Sequence, residues 1–290
     1  MRTCGVFLFG TFLLCLVGYS QTADRVVLFG QPALEMVKRF GGKENVVGVG
    51  YLDRKIKKGE EVGWPILTSL WPSIESIIQT RPTHLFGMES AFKDKRSGSP
   101  SFWQEKKIKV IPVFDFNQPR TLSVFFRDLE AFGTVFHKEK EVKQFIEQET
   151  HKITQLKAKV AKTSKEKEKR VLFLANVRSS DIFYCYTQDK CIIGSLLEDF
   201  NVTFLTSETM VIPISLEYLI RLNPDYLILS SFQANSLPEL LRYFQEHPVL
   251  KRLDAVKNKR LIAVDYSNAV SGGLEFVALY EQLIHLLHPE

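Results

Sequence analysis

Two glutamates stand at matching places in the chain. The stretch Ser73-Ile-Glu75-Ser-Ile-Ile-Gln-Thr-Arg-Pro82-Thr-His-Leu85 returns as Ser215-Leu-Glu217-Tyr-Leu-Ile-Arg-Leu-Asn-Pro224-Asp-Tyr-Leu227, at a constant offset of 142. Ile78 and Ile220 match as well. Each serine precedes its glutamate by two positions, where a helix N-cap would accept a backbone N–H. Each glutamate then falls in a first helical turn, where the dipole favours an anion. Each proline ends its helix ahead of a strand. Such a carboxylate either decorates a helix start or offers an exposed anion to a cationic partner, and the residues alone leave both open.

Other chemistry is thinly represented. No Gly-x-Ser-x-Gly elbow, P-loop or His-Glu-x-x-His occurs. Asp53 and Asp115 lie near expected strand ends without an identifiable acid–base partner. An exported α/β enzyme with an unidentified active site is the reading of another class. The histidines, His84, His137, His151, His247, His285 and His288, are scattered along the chain. No metal site is expected from them.

The 290 residues allow one large or two modest domains. Hydrophobic residues at 45% and charged residues at 24% exclude disorder, collagen and coiled coil. The net charge of +5 is too small to imply nucleic acid without a focused patch. The one Lys-rich run, Lys157 to Arg170, is interrupted by Glu166 and Glu168 and reads as a solvated helix face. Beyond the N-terminus no apolar run reaches the ~18 residues that span a membrane, which excludes a polytopic membrane protein. Residues 1–20 read as a secretory signal: Arg2, an apolar stretch from Val6 to Val17, then Gly18 and Ser20 before the cut. Export in turn makes Cys185 and Cys191 candidates for one disulfide closing a short hairpin, with two buried free thiols as the alternative.

These groups need elements to hold them. Strands are expected at Arg25–Phe29, Val46–Val49, His84–Met88 and Val110–Phe114, with helices at Ala33–Phe40, Ile74–Thr80 and Ser101–Lys106. A second series follows. Its strands are Val171–Ala175, Val202–Leu205, Tyr226–Leu229 and Leu261–Val264. Its helices are Gly194–Asp199, Leu216–Leu222, Leu237–Gln245 and Leu274–Leu287. Strand–helix alternation implies parallel sheets, and its occurring twice implies two α/β lobes, residues 21–135 and 170–290. Phe136 to Lys169 lacks Gly and Pro and spaces Val142, Phe145, Ile146, Ile153, Leu156 and Val160 as one helical face. Residues 136–169 are therefore expected to form a single connecting helix. A helix in place of extended linkers implies little change in lobe angle on binding.

With its signal segment, two lobes, long connector and paired Ser-x-Glu helices, the chain resembles the periplasmic substrate-binding proteins of ABC importers for cobalamin, haem and iron-siderophores. Arg25-Val-Val-Leu-Phe-Gly-Gln-Pro32, Glu44-Asn-Val-Val-Gly-Val49, Asn223-Pro-Asp-Tyr-Leu-Ile-Leu229 and His247-Pro-Val-Leu-Lys-Arg-Leu-Asp-Ala-Val-Lys-Asn258 carry the same likeness. The resemblance implies two Rossmann-like lobes with a ligand cleft between them. It implies a monomeric periplasmic carrier with no cofactor, whose bound ligand is cargo: an iron-siderophore or haem, with cobalamin the alternative. It also implies that Glu75 and Glu217 dock onto arginines of an ABC permease dimer that works with its ATPase subunits. In such sheets ligands sit at the carboxyl ends of strands. That selects Gln31, Pro32, Tyr51, Phe92 and Phe116 in the first lobe. It selects Arg178, Tyr184, Tyr186, Phe232 and Tyr266 in the second, with Trp64 and Trp71 on the loop entering the Glu75 helix. One departure is Gly272-Gly273-Leu274-Glu275, where many relatives have an arginine after the glycine. Arg178 or Arg96 could substitute as a carboxylate clamp, though Arg96, in Lys93-Asp-Lys-Arg-Ser-Gly, reads rather as a solvated loop charge.

Overall fold

The computed structural model describes residues 24–53, 63–161, 168–177, 182–205, 211–232 and 236–288. The expected signal segment and Arg178 lie outside the described residues. The chain begins with strand β1 (Val26–Phe29), wholly buried, as a parallel strand covered on both faces must be. Helix α1 (Gln31–Phe40), β2 (Val46–Gly50), α2 (Ile74–Gln79), β3 (His84–Met88), α3 (Pro100–Glu105) and β4 (Lys109–Val113) follow. The four strands form one parallel sheet in the order β2-β1-β3-β4.

Two helices lead away from this sheet. In α4 (Leu122–Phe136), Phe125, Leu129, Phe132 and Phe136 recur at three- and four-residue spacing and are buried. His137 then adopts a left-handed conformation and α5 (Glu139–Val160) starts. Helix α5 is 22 residues, about 33 Å at 1.5 Å per residue. It is shorter than the expected 136–169 at both ends: the turn at His137 and Lys138 delays its start, and its last residue is Val160. Its buried residues include Val142, Phe145, Ile153 and Val160, as the periodicity requires.

The second sheet is built from β5 (Lys169–Val177), β6 (Ile182–Tyr186), β7 (Val202–Phe204), β8 (Val211–Ser215), β9 (Tyr226–Leu229) and β10 (Leu261–Ala263). Its order is β10-β9-β5-β6-β8, with β7 also on β5. Strands β5, β7, β9 and β10 run parallel; β6 is antiparallel to both β5 and β8. The connecting helices are α6 (Ile192–Leu197), α7 (Leu216–Leu222), α8 (Leu237–Glu246), α9 (Asp254–Lys257), α10 (Tyr266–Val270) and α11 (Phe276–Leu287). Pro112 in β4 and Pro213 in β8 each lie on an outermost strand, where a missing N–H need not cost a ladder bond.

One apolar core runs through both sheets, from Val26, Leu28 and Phe86 by way of Phe132, Phe145 and Phe276 to Val171, Phe173 and Ile228. Each sheet has a separate cluster on its other face: Val27, Phe29, Leu85 and Trp103 in the first, Leu172, Leu174, Phe183 and Leu227 in the second. Arg120 pins the two halves where they meet. It is fully buried. Its backbone N–H donates to the Asp189 carbonyl at 2.7 Å and its Nε to the Ser271 carbonyl at 3.1 Å, both in the second half. Its Nη2 bonds Asp128 Oδ2 at 2.9 Å within α4.

The expected disulfide is absent: Cys185 and Cys191 are both buried free thiols. Strand β6 pairs with β5 and β8 and does not fold back on residue 191. Cys185 therefore faces the outer cluster of the second sheet, while Cys191 enters the shared core. Each lies close to a carbonyl that its S–H can bond, Ile212 at 3.8 Å for Cys185 and Thr187 at 3.5 Å for Cys191.

Candidate ligand-binding cleft

The carboxyl end of β2 is shaped by its neighbour segment. Val49 N–H donates to the Pro65 carbonyl at 3.0 Å, Leu67 N–H to Val49 at 2.9 Å and Tyr51 N–H to Leu70 at 2.8 Å, so residues 65–70 line the strand edge. Only glycine fits at position 50, where a Cβ would sit 2.3 Å from Pro72. Tyr51 itself is held at φ 55, as Phe114 is at φ 54 after β4. Such bulky left-handed residues cost about 1–3 kcal/mol each and concentrate where a site needs a particular side-chain direction.

That geometry lays Tyr51 flat on Trp71, with ring centroids 3.6 Å apart and planes at 9°. The Arg96 guanidinium lies over the Trp71 ring at 4.7 Å and is tied by Nη1 to the Ser90 carbonyl at 2.6 Å. From Tyr51 the contacts cross to the second half. Phe232 is 5.5 Å from Tyr51, and Tyr266 is 5.5 Å from Phe232. The Tyr266 and Tyr186 hydroxyls are 2.9 Å apart, and Tyr186 returns to Phe116 at 6.2 Å. Six of the expected site residues, Trp71, Tyr51, Phe232, Tyr266, Tyr186 and Phe116, thus form one aromatic belt across the junction.

The belt's phenols stay protonated. Burial, reinforced by Tyr186, pushes Tyr51 up to about 12, with Arg96 opposing and Asp53 adding. Burial also raises Tyr186 and, more strongly, Tyr266. The belt therefore offers neutral rings and hydroxyls, with Arg96 at its end as a cation.

Gln31 and Pro32 open a second part of the junction. They line a cavity of about 370 Å³ together with Lys38 and Arg39 of α1 and Ser267, Asn268 and Leu274 from the second half. The Gln31 Oε1 is buried here without a hydrogen-bond donor. Lys38, paired with Glu35 at 2.9 Å, and Arg39 bring cations to the cavity that Leu274 lines, where the carboxylates of Glu35, Asp265 and Glu275 also stand. The spacing of Lys38 and Arg39 from Gln31 and Glu35 along one helix face was the available signal. Asp53 accepts a hydrogen bond from Ser267 Oγ across the junction. Asp115 caps its own turn, accepting from Asn117 N–H at 2.8 Å.

Three expected site residues are elsewhere. Trp64 lies under the Lys43 ammonium at 4.8 Å, near the start of β2, because residues 65–70 run along that strand. Phe92 is buried against Phe29 in the first sheet's outer cluster. Tyr184 is half-buried on the Tyr186 side of β6 and joins no ring contact among the described residues.

The repeated helices are structural equivalents. Ser73 Oγ accepts from Ser76 N–H, and Ser215 Oγ from Tyr218 N–H, both at 3.2 Å. After each helix a left-handed residue precedes the proline, Arg81 at φ 50 and Asn223 at φ 39. Glu75 and Glu217 are fully exposed. Their own backbone N–H groups, then the serine hydroxyls, hold both carboxyls below the usual range. Among the described residues no group of three or more His, Cys, Asp or Glu is placed to hold a metal ion. Among them, too, no helix is long and apolar enough to cross a membrane.

The fold has many solved counterparts. A periplasmic binding protein from Veillonella parvula DSM 2008 superposes with a TM-score of 0.71 at 21% identity, covering 92% of this chain and 85% of that one. The periplasmic heme-binding protein HutB of Vibrio cholerae gives 0.70 at 22% identity, covering 92% and 100%. A structure from Saccharomonospora viridis DSM 43017, described as an ABC-type Fe3+-hydroxamate transport system, gives 0.73 at 14% identity, covering 92% and 93%. At these identities the likeness establishes the fold alone. No curated protein matches. The family model for periplasmic binding proteins matches residues 26–267, most of both halves, and the chain belongs to that family.

Proposed function

We propose that this protein captures an iron chelate of the siderophore or haem class in the periplasm and delivers it to an ABC permease. Residues 1–20 serve as its export signal, and Glu75 and Glu217 dock it onto permease cations. The carrying observation is the aromatic belt. Its stacked Tyr51–Trp71 pair and facing Phe232 and Tyr266 provide the flat apolar walls that a conjugated or macrocyclic ligand favours. Arg96 and Arg39 provide cations for the carboxylates or other anionic groups such chelates carry. Asp53 and Asp115 are engaged in structural hydrogen bonds, which favours a carrier over an enzyme.

Trp71 makes the proposal measurable. Hemin, ferrioxamine, cobalamin and metal-free desferrioxamine are titrated into the mature protein while tryptophan emission is followed. Saturable quenching by hemin or ferrioxamine is expected, with Trp71→Ala losing most of the signal and binding about tenfold more weakly, on the order of 1.4 kcal/mol. Saturation by cobalamin alone would replace the cargo class. No saturation by any chelate would reject the reading.

A further inference from the structure

We infer that each lobe meets the permease through a two-part anchor, an exposed glutamate and the exposed isoleucine three residues later on the same helix: Glu75 with Ile78, and Glu217 with Ile220. The occupant is a two-fold permease surface that presents, twice, a cation beside an apolar socket. This deepens the docking role proposed above and rests on it.

The argument begins with exposure. Among the described residues six large apolar side chains are exposed: Leu70, Ile78, Ile182, Tyr218, Ile220 and Leu237. Single exposed apolar residues are ordinary on any protein. Ile78 and Ile220 differ in being exposed to the same degree, 42% and 41%, at matching places in the repeat. The other four have no exposed apolar counterpart at that offset. Leu70 and Ile182 match half-buried Ile212 and Phe40, while Tyr218 and Leu237 match Ser76 and Lys95. The helices are also correctly seated. Their preceding residues, Ile77 and Leu219, are fully buried, so Ile78 and Ile220 do not face out through a misplaced helix. Residues three apart lie side by side on a helix surface, which puts each isoleucine next to its carboxylate. Equivalent patches on two lobes suit a partner with two-fold symmetry. A charge beside an apolar anchor is the arrangement that gives an interface both orientation and energy.

The permease is first identified by placing a photoreactive phenylalanine at 75, 217 or, as control, 237, irradiating cells that express the full chain, and sequencing the adducts. Adducts at 75 and 217 with one polytopic ABC subunit are expected, and none with it at 237. That permease is then reconstituted in lipid nanodiscs, and affinity is measured for wild type, the Glu75→Gln/Glu217→Gln pair and the Ile78→Ser/Ile220→Ser variants. Removing an isoleucine anchor should weaken docking about fivefold per lobe, and about 25-fold for the pair. Melting should be unchanged, since both sites are on the surface. If the glutamate pair weakens docking while the isoleucine pair stays within twofold of wild type, the two-part anchor is wrong and the docking role stands. If the glutamate pair docks normally, or no permease adduct forms, the docking role falls and the anchor with it.

Discussion

Strands β2-β1-β3-β4 of the first sheet have their counterparts in β7-β5-β9-β10 of the second, neighbour for neighbour and all parallel. Helices α2 and α7 enter β3 and β9 through the same cap, the same left-handed turn and the same proline. Beyond that frame the halves diverge. The first places its cleft residues with strained strand ends at Tyr51 and Phe114, and with the segment that carries Trp71. The second adds an antiparallel pair, β6 and β8, and uses β6 to present Tyr186. The shared frame thus holds the exposed Glu75 and Glu217 helices, and the divergent edges build the walls of the candidate cleft. The repeated frame leaves each half to shape its own wall.

The comparison breaks most severely at Arg120, which ties the halves together. Arg120→Met leaves the Asp128 carboxylate buried without its partner and should cost about 3–5 kcal/mol, splitting one thermal transition into two. Burial already raises the Asp128 pKa, outweighing the attraction of Arg120. A carboxyl raised on folding favours the native state as pH falls toward and below its folded pKa, and opposes it above. The loss in Arg120→Met should therefore be largest at neutral pH and smaller in acid. Calorimetry at two pH values tests this, and a single transition shifted equally at both would contradict it.

Gly50→Ala tests the wall of the first half alone. The new Cβ meets Pro72, so about 1–3 kcal/mol of destabilisation is expected, together with loss of the Tyr51–Trp71 stack. Near-ultraviolet circular dichroism would register the ring movement, and an unchanged aromatic spectrum would refute it.

The shared frame is tested by Ser73→Ala and Ser215→Ala. Each should lose about 1 kcal/mol from its cap, by similar amounts in the two halves. Urea midpoints that differ severalfold between the variants would show that the frame is not equivalent after all. The smallest expected effect is that of reductant. With both thiols free, dithiothreitol should leave the melting temperature and the intact mass of native protein unchanged. A gain of two mass units on reduction would restore the bridge between Cys185 and Cys191.

Much of the frame was legible in the residues. The buried runs at Val26, His84, Val171 and Tyr226 read as strands because parallel strands are apolar on both faces. The repeat predicts two capped helices, and both are present. Strand β8 was missed because Pro213 argues against a strand unless the strand is at an edge, which only the fold decides. Missing β8 also hid β6, and with it the separation of the two cysteines. Helix α4 was passed over although Phe125, Leu129, Phe132 and Phe136 carry a clear helical spacing. In the cleft, Trp71 and Trp64 looked equivalent because both lie on one loop. The backbone bonds of residues 65–70, not residue type, send one to Tyr51 and the other to Lys43.

The outer strands have a bearing on life at high concentration. An open sheet edge is a template onto which a second chain can add, and from there a fibril. Here β4 and β8 each interrupt that template with a proline, residues 65–70 cover the rim of β2, and β10 is only three residues long. A carrier of the kind proposed above, leaving its partner after every delivery, has no use for sticky rims. Edges so interrupted are expected to keep neighbouring copies from adding strand to strand at high concentration.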